Sequence, residues 1–328
     1  MIPAKLKKGD EVRVIAPARS LRILSDDAIN LAAERLSQMG LKVTFGKNVR
    51  AIDEFNSSSI EQRIEDLHEA FSDKNVKGIL TVIGGFNSNQ LLDYIDYDLI
   101  KRNPKIICGF SDITALANAI YAKTGIVTYS GTHFSTYGML KGIEYSIEYF
   151  KKSLMSEGEI EVLPSEYWSD DCWWANQEKR EFINNEGFTI INEGIAEGVS
   201  LGGNLCTFNL LQGTEYMPSM KDSILFIEDD DFVGSSFKYE FDRDLQSTIH
   251  QEAFKGVRGI LIGRCKKKSE MTIDIMRRII KTKRELNDIP VIYGVDFGHT
   301  TPIITFPIGG KVKLSAVGKD VGLQILEH

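Results

Sequence analysis

The stretch KIICGFSDITALANAI, residues 105–120, joins the end of an apolar strand to the start of an amphipathic helix. Residues 106–108 form a continuous apolar run, and four apolar residues between Ile113 and Ile120 recur at positions i, i+3, i+4 and i+7. That recurrence is typical of a helix with one buried face. Ser111 therefore lies at a tight strand-to-helix corner, where it either caps the helix or takes part in chemistry.

The same alternation of strand and helix continues through the first half of the chain. Ser59 and Gln62 form a capping box at the start of one predicted helix. Apolar strands separated by helices predict a mostly parallel sheet that is covered on both faces. Strands are predicted at residues 11–17, 41–46, 76–85, 105–109 and 125–131, and helices at 25–40, 60–72, 88–95 and from 112 onward.

The sequence changes in character after residue 155. Residues 156–187 are polar, irregular and aromatic, and we interpret them as a linker and a tryptophan-rich loop. The predicted fold class is α/β, with an N-terminal, mostly parallel sheet domain at 1–155 and a C-terminal mixed α+β, strand-rich domain at 188–328. In the second domain, short strands punctuated by glycine alternate with helices predicted at 204–212, 236–254 and 270–286.

Composition and charge exclude several classes of protein. The 328 residues are 42% apolar and 26% charged, with a formal net charge of −7, which argues against nucleic acid or an anionic membrane as the main partner. No stretch approaches the ~18 apolar residues of a membrane helix, and no signal peptide is recognisable. Four cysteines lie far apart without metal-ligand spacing, so we expect reduced thiols, a cytoplasmic location, and no metal.

Motifs of several large enzyme classes are also missing. The first strand is followed by APARSLRIL rather than GxGxxG, and neither GxxxxGK[ST] nor HExxH occurs. These absences disfavour a dinucleotide oxidoreductase, a P-loop enzyme and a zinc protease, and no cofactor is expected.

Two glycine-containing turns carry the candidate chemistry. Gly109 to Ile113 reads G-x-S-x without the final glycine of a nucleophile elbow, in which a serine hydroxyl is exposed near backbone N–H groups. Ser111 as a plain helix cap is the competing interpretation. Gly84 and Gly85 follow an apolar strand, so their N–H groups could hold an oxyanion or another anion, or simply form a turn.

A nucleophilic serine needs a base and a carboxylate that orients the base. Among the histidines, His299 ranks first because it follows an apolar strand and a glycine, and His133 ranks second. His68 and His328 are predicted to lie on the solvated surface, and His250 ends a charged helix. Glu228 ends the apolar strand 223–227, whereas Asp229–Asp231 read as a solvated run of charge. The chain order Ser111, Glu228, His299 is that of α/β-hydrolase triads.

Taken together, these stretches resemble a known family, the serine peptidases of the LD-carboxypeptidase and microcin C immunity (MccF) type. The resemblance spans nearly the whole chain. It is carried by VIAPA at 14–18, TVIGGFNSNQLLDYID at 81–96, CGFSDITAL at 108–116, GGNL at 202–205, LFIEDDD at 225–231 and GVDFGHTTPIITFPIG at 294–309.

The resemblance implies a Ser–His–Glu triad of Ser111, His299 and Glu228, which matches the ranking from the residues alone. It also implies oxyanion donors at the N–H groups of Gly85 and Asp112. The active site would then lie between the two domains of a homodimeric enzyme without metal or cofactor. We further predict that Asn204, within GGNL, binds substrate.

The tryptophan-rich loop bears on the substrate. Trp168, Trp173 and Trp174, all the tryptophans of the chain, fall within seven residues of this polar loop. An aromatic face can stack on a nucleobase, which favours an MccF-like substrate, an amide between an amino acid or peptide and a nucleotide. The alternatives are that the tryptophans only pin the linker, that the enzyme removes a terminal D-amino acid from muropeptides, or that the protein is a non-catalytic nucleotide- or peptide-binding module.

Overall fold

Two β-sheets of different character organise the protein, and the computed structural model describes residues 1–328. The first sheet has six strands and the second has eight, and β-strands at Tyr167–Trp168 and Ile183–Asn184 form a separate two-stranded ribbon. The predicted α/β fold class is confirmed, with a parallel-rich first sheet and a strand-rich second sheet.

The elements of the first part alternate as the apolar runs predicted. They are β1 (Glu11–Ile15), α1 (Asp26–Gln38), β2 (Lys42–Phe45), α2 (Ile60–Ser72), β3 (Val76–Thr81), α3 (Tyr97–Arg102), β4 (Ile106–Gly109), α4 (Ile113–Thr124), β5 (Thr128–Ser130) and α5 (Glu144–Met155).

The second part is richer in strands. Its elements are β6 (Ile160–Glu161), β7 (Tyr167–Trp168), β8 (Ile183–Asn184), β9 (Thr189–Asn192), β10 (Gly194–Asn204), α6 (Leu205–Asn209), β11 (Ser223–Glu228), α7 (Phe237–Ile249), β12 (Val257–Gly263), α8 (Ile273–Lys281), β13 (Val291–Val295), β14 (Phe306–Ile308), β15 (Lys311–Val317) and β16 (Asp320–Glu327). Short 3-10 helices cover Leu21–Ile23, Ser88–Tyr94, Phe134–Gly138, Gly234–Ser236, Glu252–Gly256, Lys267–Ser269 and Arg284–Leu286.

The sheets differ in the direction of their strands. The first has the order β14-β5-β4-β3-β1-β2 and is parallel except for β14, which pairs antiparallel with β5. The second has the order β6-β16-β15-β10-β11-β12-β13-β9, with β10 to β13 parallel and the flanking strands antiparallel. Since β14 comes late in the chain, the C-terminal half supplies an edge strand to the first sheet. The predicted domain boundaries remain a prediction.

Local sequence signals account for the helix ends near the site. The capping box of Ser59 and Gln62 is present at the start of α2, as predicted. Helix α4 ends at Gly125, whose φ of 70° lies in the left-handed region that glycine adopts readily. Most residues of α4 are buried because the helix contacts β5 of the first sheet and β10 of the second.

Several details differ from the sequence predictions. The strand expected at 76–85 stops at Thr81, which frees Gly84 and Gly85 for a loop, and residues 88–94 form a 3-10 helix rather than an α-helix. Helices α3 and α5 were not predicted. The stretch 156–187 contains short strands, and β6 joins the second sheet by pairing with β16. None of the helices combines the length and apolar character needed to cross a bilayer.

Candidate active site

Ser111 occupies a strained corner between β4 and α4. Its φ of 59° is in the left-handed region, which is uncommon for residues other than glycine. The N-cap of α4 is Asp112, so Ser111 is not the cap that the competing interpretation required. Gly109 is needed here because a Cβ at this position would overlap the Thr81 hydroxyl. The corner therefore has the backbone form of a nucleophile elbow without its final glycine.

His299 and Glu228 meet Ser111 from the second sheet. Glu228 is the last residue of β11, and His299 lies in the loop after β13. The Ser111 Oγ is 3.0 Å from His299 Nε2, and His299 Nδ1 is 2.7 Å from Glu228 Oε2. The structure thus brings the three residues singled out in the sequence into one hydrogen-bonded chain.

The carboxylate of Glu228 fits into a space that only glycine leaves open. A Cβ at Gly298 would overlap the Glu228 carboxylate, and Gly298 has a φ of 97°. Glu228 itself is only 4% exposed, so its contact with His299 is sheltered from water. Gly298 therefore lets the histidine loop approach Glu228 closely.

The surroundings of His299 favour its charged form. Burial alone lowers the pKa of the imidazole, but the charge of Glu228 and its hydrogen bond outweigh burial, and the pKa is raised above the ordinary 6.5. A carboxylate in this position stabilises the imidazolium that forms when histidine accepts a proton from serine.

Asp112 connects the loop that follows Gly84 and Gly85 to the corner that carries Ser111. Its Oδ2 accepts the N–H groups of Asn87 (3.0 Å) and Ser88 (2.9 Å), and its carbonyl oxygen accepts the Ser88 hydroxyl at 2.6 Å. Burial raises the pKa of Asp112, although these hydrogen bonds oppose the shift. The sequence indicated a role only for the backbone N–H of Asp112. The role of its side chain could not be read from spacing because the loop lies 24 residues earlier.

The loop that contains Gly84 and Gly85 places backbone N–H donors beside Ser111. A Cβ built on Gly84 would lie 3.0 Å from the Ser111 Cβ, so the two backbones are in close contact. The N–H groups of Gly85 and Asp112 donate to no acceptor within the protein. Free N–H groups at such a corner can stabilise a developing oxyanion.

A cavity of about 430 Å³ opens at Ser111 and His299. Trp173 and Trp174 also line it, and their rings meet edge to face at 5.9 Å between centroids. Trp174 is 64% exposed, which leaves ring surface available to a ligand. The remaining apolar wall includes Ile23, Leu24, Ile83, Phe110, Met139 and Ile303.

Two of the predicted substrate-binding residues do not line this cavity. Trp168 packs under Arg264, 5.0 Å from its ring centroid, which fits the interpretation that this tryptophan pins the loop. The side-chain amide of Asn204 donates to Asp229 (3.0 Å) and accepts from Thr207 N–H (3.1 Å). Contact of either residue with substrate stays a prediction.

His133 is near the site but in a different role from His299. Its Nδ1 is 2.8 Å from Thr81 Oγ1, its ring stacks 4.3 Å from Phe110, and it makes no hydrogen bond to Ser111. Burial, followed by the charges of His299 and Arg19, lowers its pKa to about 3. His133 is therefore neutral near pH 7 and helps to form the cavity wall.

Two surface predictions are wrong. His328 is only 5% exposed because its ring bonds the carbonyl groups of Ser153 and Gly158, both at 2.8 Å. Asp229 is half-buried rather than solvated, and it accepts the Cys206 N–H at 3.0 Å. Burial, with the charge of Glu228, raises the pKa of Asp229 to about 7. Terminal position and runs of charge carry no information about such long-range partners.

Models of known families match both halves of the chain. The LD-carboxypeptidase N-terminal domain (Peptidase_S66) matches residues 12–131, and the LD-carboxypeptidase C-terminal domain (Peptidase_S66C) matches residues 197–314. The first match contains Ser111, and the second contains Glu228. His299 also falls within the second match.

Relatives match over nearly their full length. The solved structure of an MccF-like protein from Bacillus anthracis (strain Ames) is 55% identical, with a TM-score of 0.99 and 100% coverage of both chains. YocD of Bacillus subtilis (strain 168) is 53% identical over 100% of both chains.

The microcin C7 self-immunity protein MccF of Escherichia coli is 31% identical, covering 98% of this chain and 95% of MccF. A structure of MccF in complex with aspartyl sulfamoyl adenosine superposes with a TM-score of 0.88, at 28% identity and over 100% and 99% of the two chains. The expected family is thereby confirmed. The chain belongs to the LD-carboxypeptidase family of serine peptidases, to which MccF is related along the whole fold.

Proposed function

We propose that this serine peptidase hydrolyses an amide that joins an aminoacyl or peptidyl group to a nucleotide, as in microcin C and aminoacyl adenylate mimics, with Ser111 as nucleophile. The observation that carries the proposal is the continuous chain from Ser111 Oγ through His299 to Glu228, at 3.0 and 2.7 Å, opening into a cavity lined by two tryptophans.

The proposed mechanism follows from this geometry. His299 Nε2 takes the proton of Ser111 as the hydroxyl attacks the amide carbonyl, and Glu228 holds the imidazole and stabilises its positive charge. The N–H groups of Gly85 and Asp112 hold the oxyanion, each contributing roughly 3 kcal/mol. His299 then protonates the leaving nitrogen. Water, activated by the same histidine, hydrolyses the acyl-enzyme.

The nucleotide preference rests on Trp173 and Trp174. Stacking of a base on an aromatic ring is worth about 1–3 kcal/mol, and both rings line the cavity that contains Ser111. MccF, related to this chain over its whole length, forms a complex with aspartyl sulfamoyl adenosine. A muropeptide tail offers no base for these rings.

The alternatives predicted from the sequence make different demands on the site. An LD-carboxypeptidase would release a terminal D-amino acid from a muropeptide with the same triad, and the family name supports it. A non-catalytic binding module needs no aligned serine, histidine and carboxylate. Action as a cytoplasmic homodimer also belongs to the proposal. The family resemblance supports the homodimer, and the four cysteines, which form no disulfide, support the cytoplasmic location.

One comparison of substrates decides between these functions. Purified protein and its Ser111→Ala variant are each given aspartyl-sulfamoyl-adenosine and an L,D-linked muropeptide tetrapeptide, and the products are followed by mass spectrometry. Cleavage of the adenosine compound alone, lost in the variant, is the expected result. Release of terminal D-alanine alone would instead assign the protein to cell-wall peptides, and binding without turnover would favour the module.

A further inference from the structure

Arg19 is an unpaired cation in the wall of the cavity. One arginine and one lysine line this cavity, and the lysine, Lys266, is paired with Asp231 at 3.1 Å. No carboxylate lies within 4.0 Å of the Arg19 guanidinium, although the charge of Asp112 acts on it from farther away. A half-buried guanidinium without a direct ion pair is less favourable than a paired one, and an anionic ligand would supply the missing partner.

The guanidinium of Arg19 is fixed at one nitrogen and free at two. Its Nε donates to the Gly84 carbonyl oxygen at 3.0 Å, whereas Nη1 and Nη2 make no hydrogen bond within the protein. Both nitrogens are at least partly exposed to solvent, and Arg19 lines the cavity. Because Gly84 contacts Ser111, the bond to Gly84 anchors Arg19 to the loop beside the nucleophile.

Arg19 lines the same cavity as the two tryptophans. Ile23 and Leu24, a few residues after Arg19, line the same cavity as Trp173 and Trp174. A ligand with its base against these rings and its amide at Ser111 would occupy the cavity that Arg19 also lines. The group that joins the amide to the nucleoside in such a ligand is the sulfonyl or phosphoryl linkage.

That linkage carries negative charge. An acyl sulfamate and an acyl phosphoramidate are anionic near neutral pH, and the charge lies on the leaving-group side of the amide. Arginine offers two parallel N–H donors that match the oxygens of such groups, and charge-assisted hydrogen bonds of this kind are the strong ones. The carboxylate of a terminal D-amino acid lies on the same side of its scissile bond.

We propose that Arg19 binds the anionic group of the leaving group beside the scissile amide and so selects substrates whose leaving group is negatively charged. This inference deepens the proposed function and rests on Ser111 being the nucleophile. It names the shared chemistry of a sulfonyl, phosphoryl or carboxylate anion next to the bond that breaks.

A purely structural role for Arg19 makes a different prediction. The Nε bond to Gly84 also orients the peptide whose N–H belongs to Gly85. If this were its whole contribution, loss of Arg19 would weaken the oxyanion site and lower kcat equally for charged and neutral leaving groups. Anion binding instead makes the loss depend on the charge of the leaving group.

The test compares two ligands that differ in that charge. Aspartyl-sulfamoyl-adenosine is anionic in its linkage, and the aspartyl amide of 5′-amino-5′-deoxyadenosine is neutral there. Binding is measured calorimetrically in the Ser111→Ala background, and kcat and KM are measured with Ser111 present. Each measurement uses Arg19, Arg19→Lys and Arg19→Gln, with Arg22→Gln as the matched control because Arg22 is exposed and does not line the cavity.

We expect Arg19→Gln to weaken binding of the sulfamate roughly 10- to 100-fold and that of the neutral amide less than about threefold. Arg19→Lys should keep part of the preference because it keeps the charge but loses the paired donors. Equal losses for the two ligands, confined to kcat, would reduce Arg19 to a positioning residue. Unchanged binding of both would also overturn the proposal.

A further pair of ligands shows whether a negative result contradicts the anion site or the proposed nucleotide substrate. The L,D-linked tetrapeptide with a free terminal carboxylate is compared with the same peptide as its terminal amide. If neither adenosine ligand binds but Arg19→Gln selectively weakens the free acid, the nucleotide substrate is wrong and the anion site stands. If no charged ligand binds Ser111→Ala more tightly than its neutral counterpart, the anion site is wrong.

Discussion

Asn118 on helix α4 hydrogen-bonds both backbone groups of Gly202 on strand β10: its Nδ2 donates to the Gly202 carbonyl at 2.8 Å, and its Oδ1 accepts the Gly202 N–H at 3.2 Å. Helix α4 begins at the corner that carries Ser111, and β10 pairs with β11, which ends at Glu228. One buried amide therefore ties the element with the proposed nucleophile to the sheet with its partners.

Removing that amide should loosen the site as well as the fold. We expect Asn118→Ala to lower the free energy of unfolding by about 2–4 kcal/mol because it leaves two backbone groups of Gly202 buried without partners. Thermal and urea unfolding measure this loss. Asn89→Ala is the control, since Asn89 makes no side-chain hydrogen bond, and a similar loss in both variants would contradict the assignment.

The pH dependence of hydrolysis should report His299. The base must be neutral to accept the Ser111 proton, so kcat/KM rises with pH through the pKa of His299, which Glu228 holds above 6.5. In Glu228→Gln the burial that lowers this pKa remains while the opposing charge is gone. The acid limb should therefore move to lower pH while kcat falls roughly 10³- to 10⁴-fold.

Asp230→Asn provides the control for this change. Asp230 also raises the pKa of His299 through its charge, but His299 makes its hydrogen bond to Glu228. We expect a smaller shift of the acid limb and little loss of kcat. An acid limb that stays in place in Glu228→Gln would show that another group titrates.

Protonation of His299 has opposite effects on stability and on activity. The pKa of His299 is raised in the folded protein, so its protonated form contributes stability at low pH that is lost as the pH rises through the folded pKa. Unfolding measured across this range in wild type and Glu228→Gln should differ in slope.

Gly298 gives a way to displace Glu228 without removing it. In Gly298→Ala the new Cβ would overlap the carboxylate, and we expect kcat to fall about 100-fold, the size of loss that a displacement near 1 Å can cause. The matched control is Gly318→Ala, which has the same kind of positive φ (63°) but open space around its Cβ. The control should lose only about 1 kcal/mol of stability and keep its activity.

The tryptophans should divide into two groups. Trp173→Ala and Trp174→Ala are each expected to weaken binding of the adenosine ligand. The loss should be about 1–3 kcal/mol for a tryptophan whose ring stacks on the base. Trp168→Phe should leave affinity unchanged because Trp168 packs against Arg264 outside the cavity. Titration calorimetry in the Ser111→Ala background measures all three. Equal effects at the three positions would argue for a general effect on the loop.

Much of the fold could be predicted because its signals are local. Apolar runs bounded by glycine located strands such as β4, and the spacing after Asp112 located α4. Helix α5 escaped prediction although its sequence is amphipathic, and short strands such as β6 exist through pairing with β16, a distant partner. Pairing of that kind depends on tertiary structure more than on propensity.

The candidate site was predictable to the extent that its residues end apolar strands. Ser111, Glu228 and His299 all lie at or just after such strand ends, where side chains from both sheets can meet. Arg19 and the carboxylate of Asp112 gave no comparable signal. Their partners, Gly84 and the residues after it, are far away in sequence and are brought close by the parallel pairing of β1, β3 and β4.

The central claim is that Ser111 is the nucleophile of a hydrolase that cuts an amide at this site. The most direct measurement is the rate of aspartyl-sulfamoyl-adenosine hydrolysis by Ser111→Ala beside wild type. Ser135→Ala serves as control, because Ser135 lines the same cavity but makes no hydrogen bond to His299. We predict a loss of at least about 10⁴-fold in Ser111→Ala with unfolding unchanged, and a near-normal rate in Ser135→Ala. Full hydrolysis by a folded Ser111→Ala protein would contradict the account.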